Sequence, residues 1–162
     1  MSQAEEKGSV TVEDAAFMLA EFENGALGSF ESSRFATGRK NYNQFEIYGS
    51  RGSLAFNLER MNELQYYSGE DDARGQGFRT ILATEAAHPY VGHWWPPGHI
   101  IGYEHTFVHA MADFLAAIDK GTPLRPDFED GVKIMDVLEA GLRSASSGRR
   151  VTLGAGDSAA AG

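Results

Sequence analysis

The chain has 162 residues, 42% apolar and 23% charged, the balance of a globular domain rather than of a disordered or membrane-embedded chain. Its 14 Lys and Arg against 23 Asp and Glu give a formal charge of −9, a sign that repels nucleic acid and anionic membranes alike. With no cysteine, disulfide scaffolds, thiolate zinc sites and cysteine nucleophiles are excluded, and no apolar run reaches the ~18 residues of a membrane span.

Residues 1–9 are polar, lack the basic start and apolar stretch of a signal peptide, and are expected to form a disordered tail in a cytoplasmic protein. Ala16-Phe17-Met18-Leu19-Ala20-Glu21-Phe22 predicts a strand. Glu23-Asn24-Gly25-Ala26 then predicts a hairpin turn of type I′, with positive φ at both Asn24 and Gly25. Residues 27–35 return. From Tyr42 to Tyr48, Phe45 and Ile47 fall on one face and Gln44 and Glu46 on the other; Gly49-Ser50-Arg51-Gly52 turns the chain, and Leu54 and Phe56 alternate on the way back. Residues 62–67 and 78–82 read as further strands around an exposed connection over 68–77, rich in Gly and Asp.

The period then changes. Phe107, Met111, Phe114, Leu115 and Ile118 form one helical stripe, ended by Lys120-Gly121 with Pro123 beyond. Phe128, Val132, Met135, Leu138 and Leu142 form a second stripe, which stops at Ser147-Gly148. Arg149 to Leu153 reads as a last short strand, and residues 154–162, made of Gly, Ala, Ser and Asp, as a disordered tail. Strands followed by helices, without βαβ alternation, predict an α+β fold: one domain over 10–153, an open and mostly antiparallel or mixed sheet with helices on one face. In the first strand Phe17 and Leu19 share one face, and Met18, Ala20 and Phe22 the other. A sheet apolar on both faces needs cover on both. The helices supply one; a second subunit, giving a dimer or higher homo-oligomer, is expected on the other, the alternative being a missing domain.

No Gly-x-Gly-x-x-Gly opens a helix after a strand, no P-loop is present, and no serine elbow or carboxylate pair stands out, so no catalytic residue is assigned. A dinucleotide-binding domain together with a substrate domain needs roughly twice this length. All 5 histidines and both tryptophans gather between His88 and His109. His105 and His109 stand four apart on a helix, but His-Thr-Phe-Val-His lacks the glutamate of the zinc-protease motif; the reading taken is that they cap and pack a loop-to-helix junction, with no metal. In Trp94-Trp95-Pro96-Pro97-Gly98-His99, Trp95 offers a stacking face and His99 a hydrogen-bonding partner, which suits a sugar or polyol; the alternative is a loop that covers a sheet edge or a partner subunit. A second candidate, Ser32 to Asn41, gathers cations, hydroxyls and an amide, with Arg39 and Asn41 as its candidate binding residues; the alternative is a solvated loop ion-paired to nearby carboxylates.

Glu13-Asp14-Ala15-Ala16-Phe17-Met18-Leu19, Phe22-Glu23-Asn24-Gly25-Ala26-Leu27-Gly28-Ser29-Phe30 and Ile47-x-Gly49-Ser50-x-Gly52-Ser53-Leu54 together resemble the C-terminal domain of the glucose–fructose oxidoreductase/inositol dehydrogenase (Gfo/Idh/MocA) family. So do Gly102-Tyr103-Glu104-His105-Thr106-Phe107, Asp130-Gly131 with Val137-Leu138-Glu139-Ala140, and Ser144-Ala145 with Gly148-Arg149-x-Val151-x-Leu153. The resemblance runs from about Val10 to Leu153. It implies an NAD(P)-dependent oxidoreductase of sugars or polyols, in which a Rossmann domain supplies the cofactor site and a catalytic lysine, an Asp and a His assist at the start of the second domain, and an open sheet supports oligomerisation. This chain carries none of those groups and is expected to begin after them. By itself it is therefore expected to bind no cofactor, with NAD or NADP implied for a complete enzyme whose Rossmann half sits on the same or another chain. The alternative is a stand-alone, non-enzymatic binding or assembly module derived from that domain.

Overall fold

The structure, a computed structural model, describes residues 8–154. The tails expected at 1–9 and 154–162 lie outside that range except for Gly8, Ser9 and Gly154. Six strands come first, β1 (Ala15–Glu21), β2 (Leu27–Ser33), β3 (Gln44–Tyr48), β4 (Gly52–Asn57), β5 (Glu63–Ser68) and β6 (Arg79–Leu82), and two helices follow, α1 (Tyr103–Lys120) and α2 (Phe128–Ser147). The fold is α+β, as the change of period requires. The strands form two ladders, a β1-β2 hairpin and a β3-β4-β5-β6 meander, every pairing in them antiparallel. Two compact units contain them: the residues up to Gly38 with those from Pro126 onward, and Arg39–Arg125.

In the first unit the hairpin is not of type I′. Phe22 N–H donates to Ala26 O and Gly25 N–H to Phe22 O, each at 2.8 Å. Gly25 has φ 83° while Asn24 has no positive φ. Pairing between Phe22 and Ala26 leaves a three-residue loop that needs only its last residue in the left-handed region; the Asn24 side chain accepts the Ala26 N–H at 3.1 Å instead. The register sets Met18 opposite Phe30 and Leu19 opposite Ser29. Met18 and Ala20 are half-buried, and a Cβ at Gly141 of α2 would stand 3.8 Å from the Met18 sulfur, so α2 lies against this face. Phe17 and Leu19 on the opposite face are 75% and 88% exposed. That face is less apolar than β1 alone implies, because β2 adds Ser29 and Glu31 to it beside Leu27.

Helix α2 starts at a reciprocal cap. Asp130 N–H donates to the Asp127 side chain at 3.0 Å and Asp127 N–H to the Asp130 side chain at 3.2 Å, satisfying two donors that the first turn cannot. It stops where Gly148 turns left-handed at φ 65°. The expected strand at Arg149–Leu153 is absent: the segment joins no ladder. Its contacts are of another kind, Ser144 Oγ donating to Arg149 O at 2.8 Å and Arg150 pairing with Glu21 at 2.9 Å. β-propensity without a partner edge does not make a strand.

In the second unit Phe45 stacks obliquely on its cross-strand partner Phe56, ring centroids 5.4 Å apart. The connection after β5 is held by Arg79 on Asp71 at 2.9 Å and by the Gln76 amide donating to Asp71 O at 3.0 Å. Asn62, just before β5, grips the entry to α1 from both sides: its amide donates to Ile101 O at 2.8 Å and its carbonyl accepts the Ile101 N–H at 2.9 Å. Among the described residues Val91 and Ala140 are the buried apolar residues, and the stripes of both helices stay half or more exposed.

Candidate functional site

The site is built on the segment that runs from Tyr90 into α1. Val91, buried, anchors a single 3-10 turn over Val91–His93, closed by Trp94 N–H to Val91 O at 2.9 Å. Tyr90 enters this turn with φ 67°, the one non-glycine residue with positive φ among those described. An aromatic residue in that region is strained, and two contacts hold it. Its ring stacks on His109 at 4.3 Å and 15°, and its hydroxyl donates to Asp113 at 2.7 Å. That carboxylate accepts the phenol proton and repels the phenolate, so the Tyr90 hydroxyl ionises above its ordinary value of 10.0.

After the turn, the Trp94 indole N–H donates to His109 Nε2 at 2.6 Å, and its ring meets His105 edge-on at 4.4 Å. The indole only donates, so Nε2 of His109 bears no proton here and the neutral ring carries its proton on Nδ1. His105 has the opposite tautomer: its Nδ1 accepts the Gly102 N–H at 3.0 Å, capping the first turn of α1. Both histidines thus serve the loop-to-helix junction, and no group of three or more His, Asp or Glu among the described residues is arranged to hold a metal ion. The pattern His105, His109, Asp113, spaced by four along α1, is the sequence signal for this row; the Tyr90–Asp113 partnership spans 23 residues and leaves no such signal.

Beyond Trp94 lies the expected binding loop. Pro96-Pro97-Gly98-His99 is a β-turn closed by His99 N–H to Pro96 O at 3.3 Å, with Gly98 at φ 87°, a position that suits glycine after proline. The His99 ring returns to the same carbonyl, Nδ1 at 3.0 Å from Pro96 O. A carbonyl only accepts, so Nδ1 carries a proton, and in the neutral ring Nε2 is the remaining acceptor. Trp95 beside it is 53% exposed, its indole available for stacking.

Arg39 and Asn41 lie on the chain leading into β3. The Arg39 guanidinium sits over the Tyr42 ring at 3.9 Å, and no carboxylate pairs with it among the described residues. Asn41 turns the chain through its carbonyl, which accepts the Asn43 N–H at 2.8 Å, while Asn43 O accepts the Leu58 N–H at 2.9 Å. No hydrogen bond or ring contact joins Arg39 or Asn41 to Trp95 or His99, so the structure shows two candidate patches rather than one closed pocket. The first offers a planar cation and an amide; the second, a stacking surface and an imidazole acceptor. Neither supplies a nucleophile or an acid–base pair.

The fold is thus an α+β domain of antiparallel ladders and two amphipathic helices that carries two exposed candidate binding patches. Residues 1–153 match the family described as "Oxidoreductase family, C-terminal alpha/beta domain", and the chain belongs to that family. It is 43% identical over 141 residues to a levoglucosan dehydrogenase of Pseudarthrobacter phenanthrenivorans, covering 86% of this chain and 36% of that protein. Among solved structures, an oxidoreductase domain protein from Kribbella flavida superposes with TM-score 0.85 at 54% identity, covering 88% of this chain and 37% of that one. A levoglucosan dehydrogenase in complex with NADH and levoglucosan does so with TM-score 0.82 at 43% identity, covering 87% of this chain and 38% of its own. The chain thus spans little more than a third of the length of these relatives.

Proposed function

We propose that this chain is the substrate-facing and assembly half of an NAD-dependent oxidoreductase acting on a sugar or polyol, without turnover on its own. The observation that carries the reading is the 43% identity to a levoglucosan dehydrogenase, confined to 36% of that protein's length. In this reading Trp95 stacks on the pyranose-like face of the ligand, His99 Nε2 accepts one of its hydroxyls, and Arg39 and Asn41 supply donors to others. The Rossmann half, on the same or a partner chain, contributes the cofactor and the catalytic groups. The open face at Phe17 and Leu19 pairs with a second copy of the chain, and a cytoplasmic site of action goes with the assignment.

The test has two arms. The chain alone is titrated with NADH by fluorescence; the expected result is no saturable binding below about millimolar. It is then fused behind the nucleotide-binding part of the Pseudarthrobacter enzyme and assayed for NADH formation from levoglucosan. Turnover by the fusion supports the proposal. Cofactor binding by the chain alone overturns the half-enzyme reading, and a folded fusion that neither binds nor oxidises levoglucosan overturns the substrate-facing one in favour of a non-enzymatic module.

A further inference from the structure

The Trp95–His99 loop has no buried side chain of its own to fix it, yet the turn that launches it is held at both ends by one residue. Tyr90 at its start stacks on the His109 ring at 4.3 Å, and Trp94 at its end donates to His109 Nε2 at 2.6 Å. Between them only Val91 is buried. The strain of Tyr90 at φ 67° persists because His109 and Asp113, on successive turns of α1, take its ring and its hydroxyl. We propose that His109 is a positioning residue: it clamps Tyr90 and Trp94 to α1 and so fixes where Trp95 and His99 are presented. The purpose of that presentation rests on the reading of the loop as ligand-facing; the clamp itself does not.

The chemistry of the clamp sets it apart from ordinary packing. His109 holds Trp94 through the lone pair on Nε2, an acceptor that an apolar ring does not supply. Glutamine at position 109 keeps an acceptor near Nε2, whereas phenylalanine keeps a ring and loses the acceptor.

Amide hydrogen exchange of the 162-residue chain, in wild-type, H109Q and H109F forms, tests the proposal. In H109F the Trp94 and His99 amides, hydrogen-bonded to Val91 O and Pro96 O, exchange about fivefold faster, the equivalent of one ordinary hydrogen bond, while those of β4 and β5 are unchanged. H109Q, which keeps an acceptor, stays within about twofold of wild type. Should H109F fail to fold, W94F, which removes the donor and keeps the histidine, is expected to give the same local acceleration. Equal loop exchange in all forms overturns the clamp. So does acceleration that extends through β4 and β5, or loop exchange in H109Q as fast as in H109F. Levoglucosan serves as the ligand probe: its dissociation constant rises about fivefold in H109F but not in H109Q. A wild-type chain that does not bind levoglucosan overturns the ligand-facing reading, while the exchange data still decide whether His109 holds the loop.

Discussion

Leu19→Ser examines the open face of the hairpin and, through it, the assembly proposed for this chain. Leu19 is 88% exposed and stands opposite Ser29 in the antiparallel register, so the substitution leaves the β1-β2 ladder intact and removes apolar surface the isolated chain never buries. Full burial of a leucine side chain contributes roughly 1.5–3 kcal/mol. A two-fold interface buries the residue twice, once from each copy. The expected loss is therefore about 3–6 kcal/mol of association free energy, a weakening of roughly a hundredfold to ten-thousandfold in the dimer dissociation constant. Phe17, 75% exposed on the same face, adds a comparable gross contribution, which has to offset the freedom two chains lose on association. Size-exclusion chromatography coupled to light scattering, run across a concentration series, reads this directly. Wild type is expected as a defined dimer or higher oligomer at micromolar concentration, and L19S as a monomer with unchanged circular dichroism. A wild-type monomer, or an L19S form that assembles as tightly as wild type, refutes the reasoning that this face meets a second copy. Glu31, which β2 places on the same face, makes the interface salt-sensitive, a second signature in the same series.

Trp95→Ala and His99→Ala, in the fusion that turns over levoglucosan, are each expected to raise KM by about 1–3 kcal/mol in equivalent free energy without lowering thermal stability; unchanged KM in both excludes the loop from binding. Tyr90 ionises above 10.0 because Asp113 accepts its proton and repels the phenolate, so Asp113→Asn should lower the midpoint of that phenol in a 295 nm absorbance titration. The sign for stability follows: the Tyr90–Asp113 bond contributes fully below the unfolded tyrosine value and is lost as the pH rises through the higher folded value, so its effect on unfolding fades only in the alkaline range above 10.0. Asp127→Ala removes half of the reciprocal cap on α2 and should cost about 1 kcal/mol, read as a drop in denaturation midpoint; Asp127→Ser, which keeps an acceptor, should recover most of it.

Local chemistry was legible in the amino-acid sequence wherever it is settled within a few residues. The strand and helix spans follow from alternation of period two and from stripes of period 3.6, and both helices end where a glycine accepts the left-handed conformation, Gly121 at φ 62° and Gly148 at φ 65°. The motifs from Glu13 to Leu153 resembled the family that residues 1–153 match. What lay beyond reach depended on partners. Asn24-Gly25 promised a two-residue turn, and only the Phe22–Ala26 pair lengthened it by one. Arg149 to Leu153 had the composition of a strand but no edge to join. Phe17 and Leu19 were identified as a face, but Ser29 and Glu31 became part of it only through the register of β2. The clamp at His109 is the clearest case. Its contacts to Trp94 and from Asp113 to Tyr90 span 15 and 23 residues, and they need Tyr90 in a backbone conformation its own sequence disfavours. Periodicity and backbone stereochemistry are properties of neighbours along the chain, so the sequence determines them by itself; which side chains meet across such separations is decided by the path of the backbone between them, and only the tertiary structure holds that information.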